Sequence, residues 1–146
     1  QGLLPQASID GQLAATAVMR EQGADARADA VLERYLRKGY REDEPEQYAA
    51  LRRQFTTNPV EGYAEAGDAI FKMNFDPRIG EISVPTMVIA GSDDIATTPE
   101  RMTMYRDGIP GARMATIPNA GHMPYVEQAD AFNKVLGGFL DSLPRN

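Results

Sequence analysis

Two short apolar runs, each stopping at a turn, organise the second half of the chain. Met87-Val-Ile-Ala90 is continuously apolar rather than alternating, which predicts a strand buried on both faces, as in a parallel sheet covered by helices. Pro85 stands at its start, where a missing N–H is tolerated, and Gly91 ends it. Arg113 to Ile117 predicts a second strand, stopped by Pro118. Between them, Thr98-Pro99-Glu100 is a helix start, a hydroxyl cap followed by proline at the first helical position, and Gly108 and Gly111 close that helix. Strand, helix and strand in so few residues predict a βαβ unit, with parallel strands and a right-handed crossover. The fold class expected is therefore α/β.

The first half carries a different period. Gln1 to Ile9, with Pro5, is expected to be irregular, and from Asp10 a helical pattern puts Leu13, Ala14, Ala17 and Val18 on one face until Gly23. Ala24 to Lys38 predicts the clearest helix, with Ala28, Val31, Leu32, Tyr35 and Leu36 as its stripe and Gly39 as its stop. Arg41-Glu-Asp-Glu44 is expected to be a solvated loop. Pro45 opens a third helix striped by Tyr48, Leu51 and Phe55. Asn58-Pro59 begins a fourth, with Val60, Tyr63, Ala64, Gly67, Ile70 and Phe71 on one side. Asp76 to Gly80 links back to the strands. After His122, Met123-Pro124 turns the chain into a terminal helix from Glu127 to Leu143, with Phe132, Val135, Leu136, Phe139 and Leu140 inward and Pro144 as its stop.

Composition narrows the function classes. A chain of 146 residues, 42% hydrophobic and 25% charged, suits one globular domain. Its net charge of −6 argues against nucleic acid and anionic membrane surfaces as partners. The absence of cysteine excludes disulfides, thiolate metal sites and a cysteine nucleophile. With a single histidine, a histidine-based metal site is not expected, nor is a cofactor. No run of ~18 apolar residues occurs, so no spanning helix is predicted and a cytoplasmic setting is expected. The opening Gln1-Gly-Leu-Leu-Pro5 carries the expectation that the chain is a piece of a longer one.

The chemistry lies just past the two strands. Asp94 and His122 both follow the carboxyl ends of neighbouring parallel strands, where open α/β sheets place their sites. A carboxylate on one loop and an imidazole on the next can hydrogen-bond, and the carboxylate then fixes the imidazole tautomer and stabilises its charged form. Taken singly, Asp94 suits a turn or cap and His122 a capped loop; their joint placement is what points to catalysis.

These residues also carry a resemblance. Ile82-x-Val-Pro-Thr-x-Val-Ile-Ala-Gly-x-x-Asp94, Ile109-Pro-Gly-Ala-Arg113, Ile117-Pro-x-Ala-Gly-His122 and Glu127-Gln-x-x-x-Phe132 resemble the C-terminal part of an α/β-hydrolase. The resemblance implies a partial α/β-hydrolase fold: a helical cap over residues 1–78, then the last two parallel strands and C-terminal helix over 79–146. It implies Asp94 as the acid and His122 as the general base of a triad, with Asp93 off the family spacing. Ile95 and Met123, beside them, are the candidate substrate contacts, and some apolar side chains of the cap are expected to roof a substrate. Arg20-Glu-Gln-Gly23, the helix around Ala30-Val-Leu32 and Asn58-Pro-x-Glu-Gly-Tyr63 resemble, more loosely, 3-oxoadipate enol-lactonases and related ester or lactone hydrolases.

The family's other half is not in this sequence. Ser8, Ser83, Ser92 and Ser142 are the only serines, none in a Gly-x-Ser-x-Gly turn, and no His-Gly-Gly oxyanion loop occurs. The expectation is thus a C-terminal portion of a serine hydrolase, inactive alone, whose partners are an N-terminal half bearing the nucleophile and a small ester or lactone substrate. An aspartate nucleophile, as in epoxide hydrolases and dehalogenases, fits the same fold. A non-catalytic α/β-hydrolase-like ligand receptor or interaction module is the alternative of another class.

Overall fold

A computed structural model describes residues 6–72 and 75–144, the side chains of residues 6–9, 12, 68, 71, 72 and 76 excepted. The chain divides into two compact units: Gln1–Leu32 with Arg41–Pro77, and Glu33–Tyr40 with Arg78–Asn146. Among the described residues no helix is long and apolar enough to cross a membrane.

The first unit is helical. Its elements are α1 (Gln6–Gln22), most of α2 (Asp25–Tyr35) and of α3 (Tyr40–Asp43), α4 (Pro45–Thr57) and α5 (Val60–Lys72). Gly23 closes α1 at a φ of 84°, a left-handed conformation that favours glycine, and its N–H donates to the Met19 carbonyl. Met19, Ala24, Ala28, Leu32, Tyr48 and Ala64 form the buried core, and α1 packs on α5. Polar bonds set the register between helices. The Tyr48 hydroxyl and Arg52 Nε both donate to Asp29 Oδ1, at 2.9 and 3.1 Å, tying α4 to α2. Arg20 grips both oxygens of Glu61, each at 2.9 Å, tying α1 to α5. The Arg20–Glu61 pair is exposed and contributes at most about 1 kcal/mol, so burial carries this unit.

Several sequence expectations shift here. The first helix begins at Gln6, not Asp10, and its buried face holds Thr16 and Met19, while Leu13 is exposed. The second helix ends at Tyr35 rather than Lys38. Residues expected as a charged loop form the short α3, whose Tyr40 is buried. Ile70 is exposed on α5, and the Phe71 side chain lies outside the described residues.

The second unit holds the sheet. A 3-10 turn at Asp76–Glu81 leads to β1 (Met87–Gly91), α6 (Pro99–Gly108) and β2 (Arg113–Ile117), and the strands pair in parallel from Met87↔Arg113 to Gly91↔Ile117. The α6 cap is the expected one: the Thr98 side chain accepts from the Arg101 N–H, with Pro99 at the first helical position. Val88 and Ala90 are buried but Met87 and Ile89 only half-buried, so β1 is not covered on both faces as its apolar run predicts. Among the described residues each strand pairs on one side only.

The terminal helix is two helices. Gln128, at φ −139° and ψ 56°, breaks the run between α7 (Pro124–Glu127) and α8 (Ala129–Asp141). Phe132, Val135, Leu136 and Phe139 are half-buried, whereas Leu140, expected inward, is exposed.

Gly91 fixes the approach of the two strand-end loops. A Cβ there would run into the carbonyl oxygens of Ala120 and Gly121 and stand 2.8 Å from the Ala120 carbonyl carbon. All of these are backbone atoms, which cannot turn aside as a side chain can. Gly91→Ala is therefore expected to lower the unfolding free energy by about 2–3 kcal/mol or more, read by urea titration. A variant as stable as the parent would mean that the 118–122 loop shifts freely.

Candidate functional site

The ladder continues past the strands and draws two loops together. The Ser92 N–H donates to the Ile117 carbonyl at 2.9 Å and the Asp93 N–H to the Ala120 carbonyl at 2.8 Å. Asn119 takes a φ of 54°, a left-handed conformation that asparagine tolerates better than most residues. Its N–H donates to Ser92 Oγ at 2.9 Å, and that hydroxyl donates to Asp93 Oδ1 at 2.8 Å. Asp93 is thus engaged with the loop itself.

Asp94 faces the other way. It is 6% exposed, and His122 Nδ1 stands 2.8 Å from its Oδ2. The Ala96 and Thr97 N–H groups donate to Oδ1 at 2.7 and 2.9 Å, and the Thr97 hydroxyl donates to Oδ2 at 2.7 Å. Burial pushes the Asp94 carboxyl up more than any single bond pulls it down. Together, the bonds from the Thr97 N–H, His122, the Thr97 hydroxyl and the Ala96 N–H outweigh burial, and its pKa lies below the ordinary value. Asp94 is accordingly held as a carboxylate.

The imidazole is fixed from three sides. Its Nδ1 faces Asp94 Oδ2 and also lies 3.1 Å from Thr97 Oγ1. The backbone N–H of His122 donates to the Tyr35 carbonyl at 2.6 Å, which anchors the ring's own residue. The Tyr35 ring stacks on the imidazole, centroids 4.9 Å apart and planes inclined by 30°. A carboxylate at Nδ1 favours the tautomer with the proton there, which leaves Nε2 as the basic nitrogen. The side chain of His122 is 38% exposed, so this nitrogen belongs to a ring that solvent reaches. The arrangement can accept a proton at Nε2 while the carboxylate stabilises the resulting cation.

Of the four residues expected at the site, the structure brings Asp94 and His122 into contact. Ile95 follows Asp94 but is 71% exposed, and Met123 is half-buried at the start of α7. Two neighbours were not anticipated as site residues. Thr97 stands three residues beyond Asp94, and an Asp followed at that spacing by a hydroxyl residue marks a self-bonded turn. Tyr35 reads in the sequence only as one position of a helical stripe, and its approach to His122 is a long-range contact that no local pattern records.

The model of the alpha/beta hydrolase family matches residues 3–135. This chain belongs to that family. Among curated alpha/beta hydrolase relatives, 3-oxoadipate enol-lactonase 2 of Acinetobacter baylyi is 32% identical over 116 residues, covering 80% of this chain and 43% of that protein. The crystal structure of the enol-lactonase from Burkholderia xenovorans is 37% identical and superposes with a TM-score of 0.83, over 87% of this chain and 48% of that one. A thermophilic esterase from Thermogutta terrifontis, 24% identical, superposes at 0.86 over 97% of this chain and 52% of its own, and attests the fold alone. The chain spans about half the length of the relatives it matches. This alpha/beta hydrolase chain therefore shares the fold of its relatives over a partial length, with a helix-rich segment preceding two parallel strands.

Proposed function

We propose that this chain supplies the acid and the histidine base of a serine hydrolase that cleaves a carboxylic ester or lactone. The observation that carries the reading is the 2.8 Å contact of His122 Nδ1 with a buried Asp94 carboxylate at the ends of adjacent parallel strands. In the reaction, Nε2 of His122 takes the proton from a serine hydroxyl as that oxygen attacks the acyl carbon. Asp94 holds the ring and stabilises the imidazolium. His122 then returns the proton to the leaving alkoxide and repeats both transfers with water to release the acid. The nucleophile and the oxyanion donors come from a portion of the protein that this sequence does not contain, as the family's order of nucleophile, acid, histidine implies. Among the described residues β1 pairs on one side only, which supports that reading because an open strand edge is ordinarily covered. Residues 1–78, apart from the 33–40 stretch that groups with the strands, serve as the cap region, and Ile95 and Met123 contact the substrate. Lactone specificity is favoured by the resemblance to enol-lactonases.

The intact protein is expected to react with a fluorophosphonate at one serine and to hydrolyse an activated aryl ester and a γ-lactone. The 146-residue chain alone is expected to do neither. An intact protein that binds such ligands but neither labels nor turns them over would make it a receptor built on a hydrolase fold.

A further inference from the structure

Glu127 sits half-buried in the second unit, and its carboxylate takes backbone N–H groups from two segments, one close by in the chain and one 90 residues away. Its Oε2 accepts the Arg37 N–H at 2.7 Å and its Oε1 the Gly121 N–H at 2.9 Å. Gly121 is the residue before His122, and Arg37 lies two residues beyond Tyr35. The same two segments meet again where the His122 N–H reaches the Tyr35 carbonyl and where the Tyr35 ring covers the imidazole. They lie so close that a Cβ on Gly121 would stand 2.6 Å from the Tyr35 oxygen and 2.8 Å from the Arg37 nitrogen.

We propose that Glu127 and Tyr35 are positioning residues for His122: Glu127 clamps segment 35–37 to the histidine loop, and the Tyr35 ring then holds the imidazole plane. The inference deepens the hydrolase reading and rests on it for its consequence in turnover, though not for the geometry it asserts.

Two physical points support the pairing. A carboxylate offers two acceptor oxygens, and both clamp partners are donors, so an amide at 127 serves one and opposes the other. Ionising Glu127 also works against the fold. Burial pushes its carboxyl up, and the N–H groups of Arg37, Gly121 and Met123 and the charge of Arg37 do not fully offset it. Stability is accordingly lost as pH rises from the ordinary glutamate value through the raised one, so its place in the fold is better explained by where it holds the loop than by stability.

The test uses the intact protein, with activated-ester turnover and proton NMR read side by side. The low-field resonance of the His122 Nδ1–H, identified by its loss in His122→Ala, reports the bond to Asp94 whether or not the protein hydrolyses esters. Glu127→Gln is expected to displace or broaden that resonance and to lower kcat by roughly 10- to 100-fold with KM within about twofold, as a sub-ångström misplacement does. Tyr35→Leu is expected to lower kcat by about tenfold and Tyr35→Phe, which keeps the ring, to restore it. If Glu127→Gln fails to fold, the Tyr35 pair decides. An unmoved resonance with unchanged kcat in Glu127→Gln or Tyr35→Leu overturns the proposal, as does a Tyr35→Phe as impaired as Tyr35→Leu. A wild-type protein without turnover but with the resonance shifted in the variants would sink the hydrolase reading and leave the positioning claim standing.

Discussion

In the intact protein, His122→Ala is expected to reduce ester turnover by about 10⁴-fold or more while leaving the fold in place. The loss follows from chemistry: at neutral pH a serine hydroxyl attacks slowly without a base. The fold should persist for reasons visible at the site. The imidazole side chain is 38% exposed, and alanine keeps the backbone N–H that donates to the Tyr35 carbonyl. Asp94 also keeps the Ala96 and Thr97 donors, so no buried carboxylate is orphaned. The stability cost should therefore be about 1 kcal/mol, read by urea titration beside the kinetics. A folded variant with near-normal turnover would place the base elsewhere and leave the Asp94–His122 contact a structural one.

How much of this was legible before the structure depends on whether the cause is local. Both strands, their parallel order and the Thr98–Pro99 helix start were readable, because buried strands write continuous apolar runs and caps have their own chemistry. The Asp94–His122 contact was readable because two strand-end loops joined by one crossover helix have little choice but to be neighbours. What failed was what depends on a distant partner. The period of α1 permits a helix, but whether Leu13 or Met19 turns inward is decided by where α5 lies against it. Leu140, assigned inward, and Ile70, placed on the same side as the buried Ala64, are both exposed, since a stripe says which residues share a face and not how far the cover extends. The break at Gln128 carries no glycine or proline to announce it. The stack of Tyr35 on His122 and the clamp at Glu127 each join residues far apart in the chain, and only the fold brings them together.

The sharpest separation of charge from shape comes from Asp94→Asn, which is expected to lower kcat by about 10⁴-fold with little change in KM. The bonding pattern dictates which way the new amide turns. Both donors at Oδ1, the Ala96 and Thr97 N–H groups, are backbone groups and cannot reverse, so the amide oxygen must occupy that position. The amide NH₂ then falls where Oδ2 was, facing the Thr97 hydroxyl and His122 Nδ1. A donor in that place requires Nδ1 to be an acceptor, which moves the ring proton to Nε2 and removes the basic lone pair that should receive the serine proton. Shape is nearly unchanged, so a large loss of turnover reports the tautomer. Stability supplies an independent check with a definite sign. Because the folded-state pKa of Asp94 lies below its ordinary value of 3.8, the carboxylate contributes stability above that value, and the contribution is lost as pH falls through the depressed one. Asparagine does not titrate, so the variant should start less stable at neutral pH, and the gap to wild type should close in acid below 3.8. Urea midpoints taken from neutral pH into that range measure both. A gap that widens on acidification would mean that burial, not the Thr97, Ala96 and His122 bonds, sets the state of Asp94, and the orienting role assigned to its charge would fall with it.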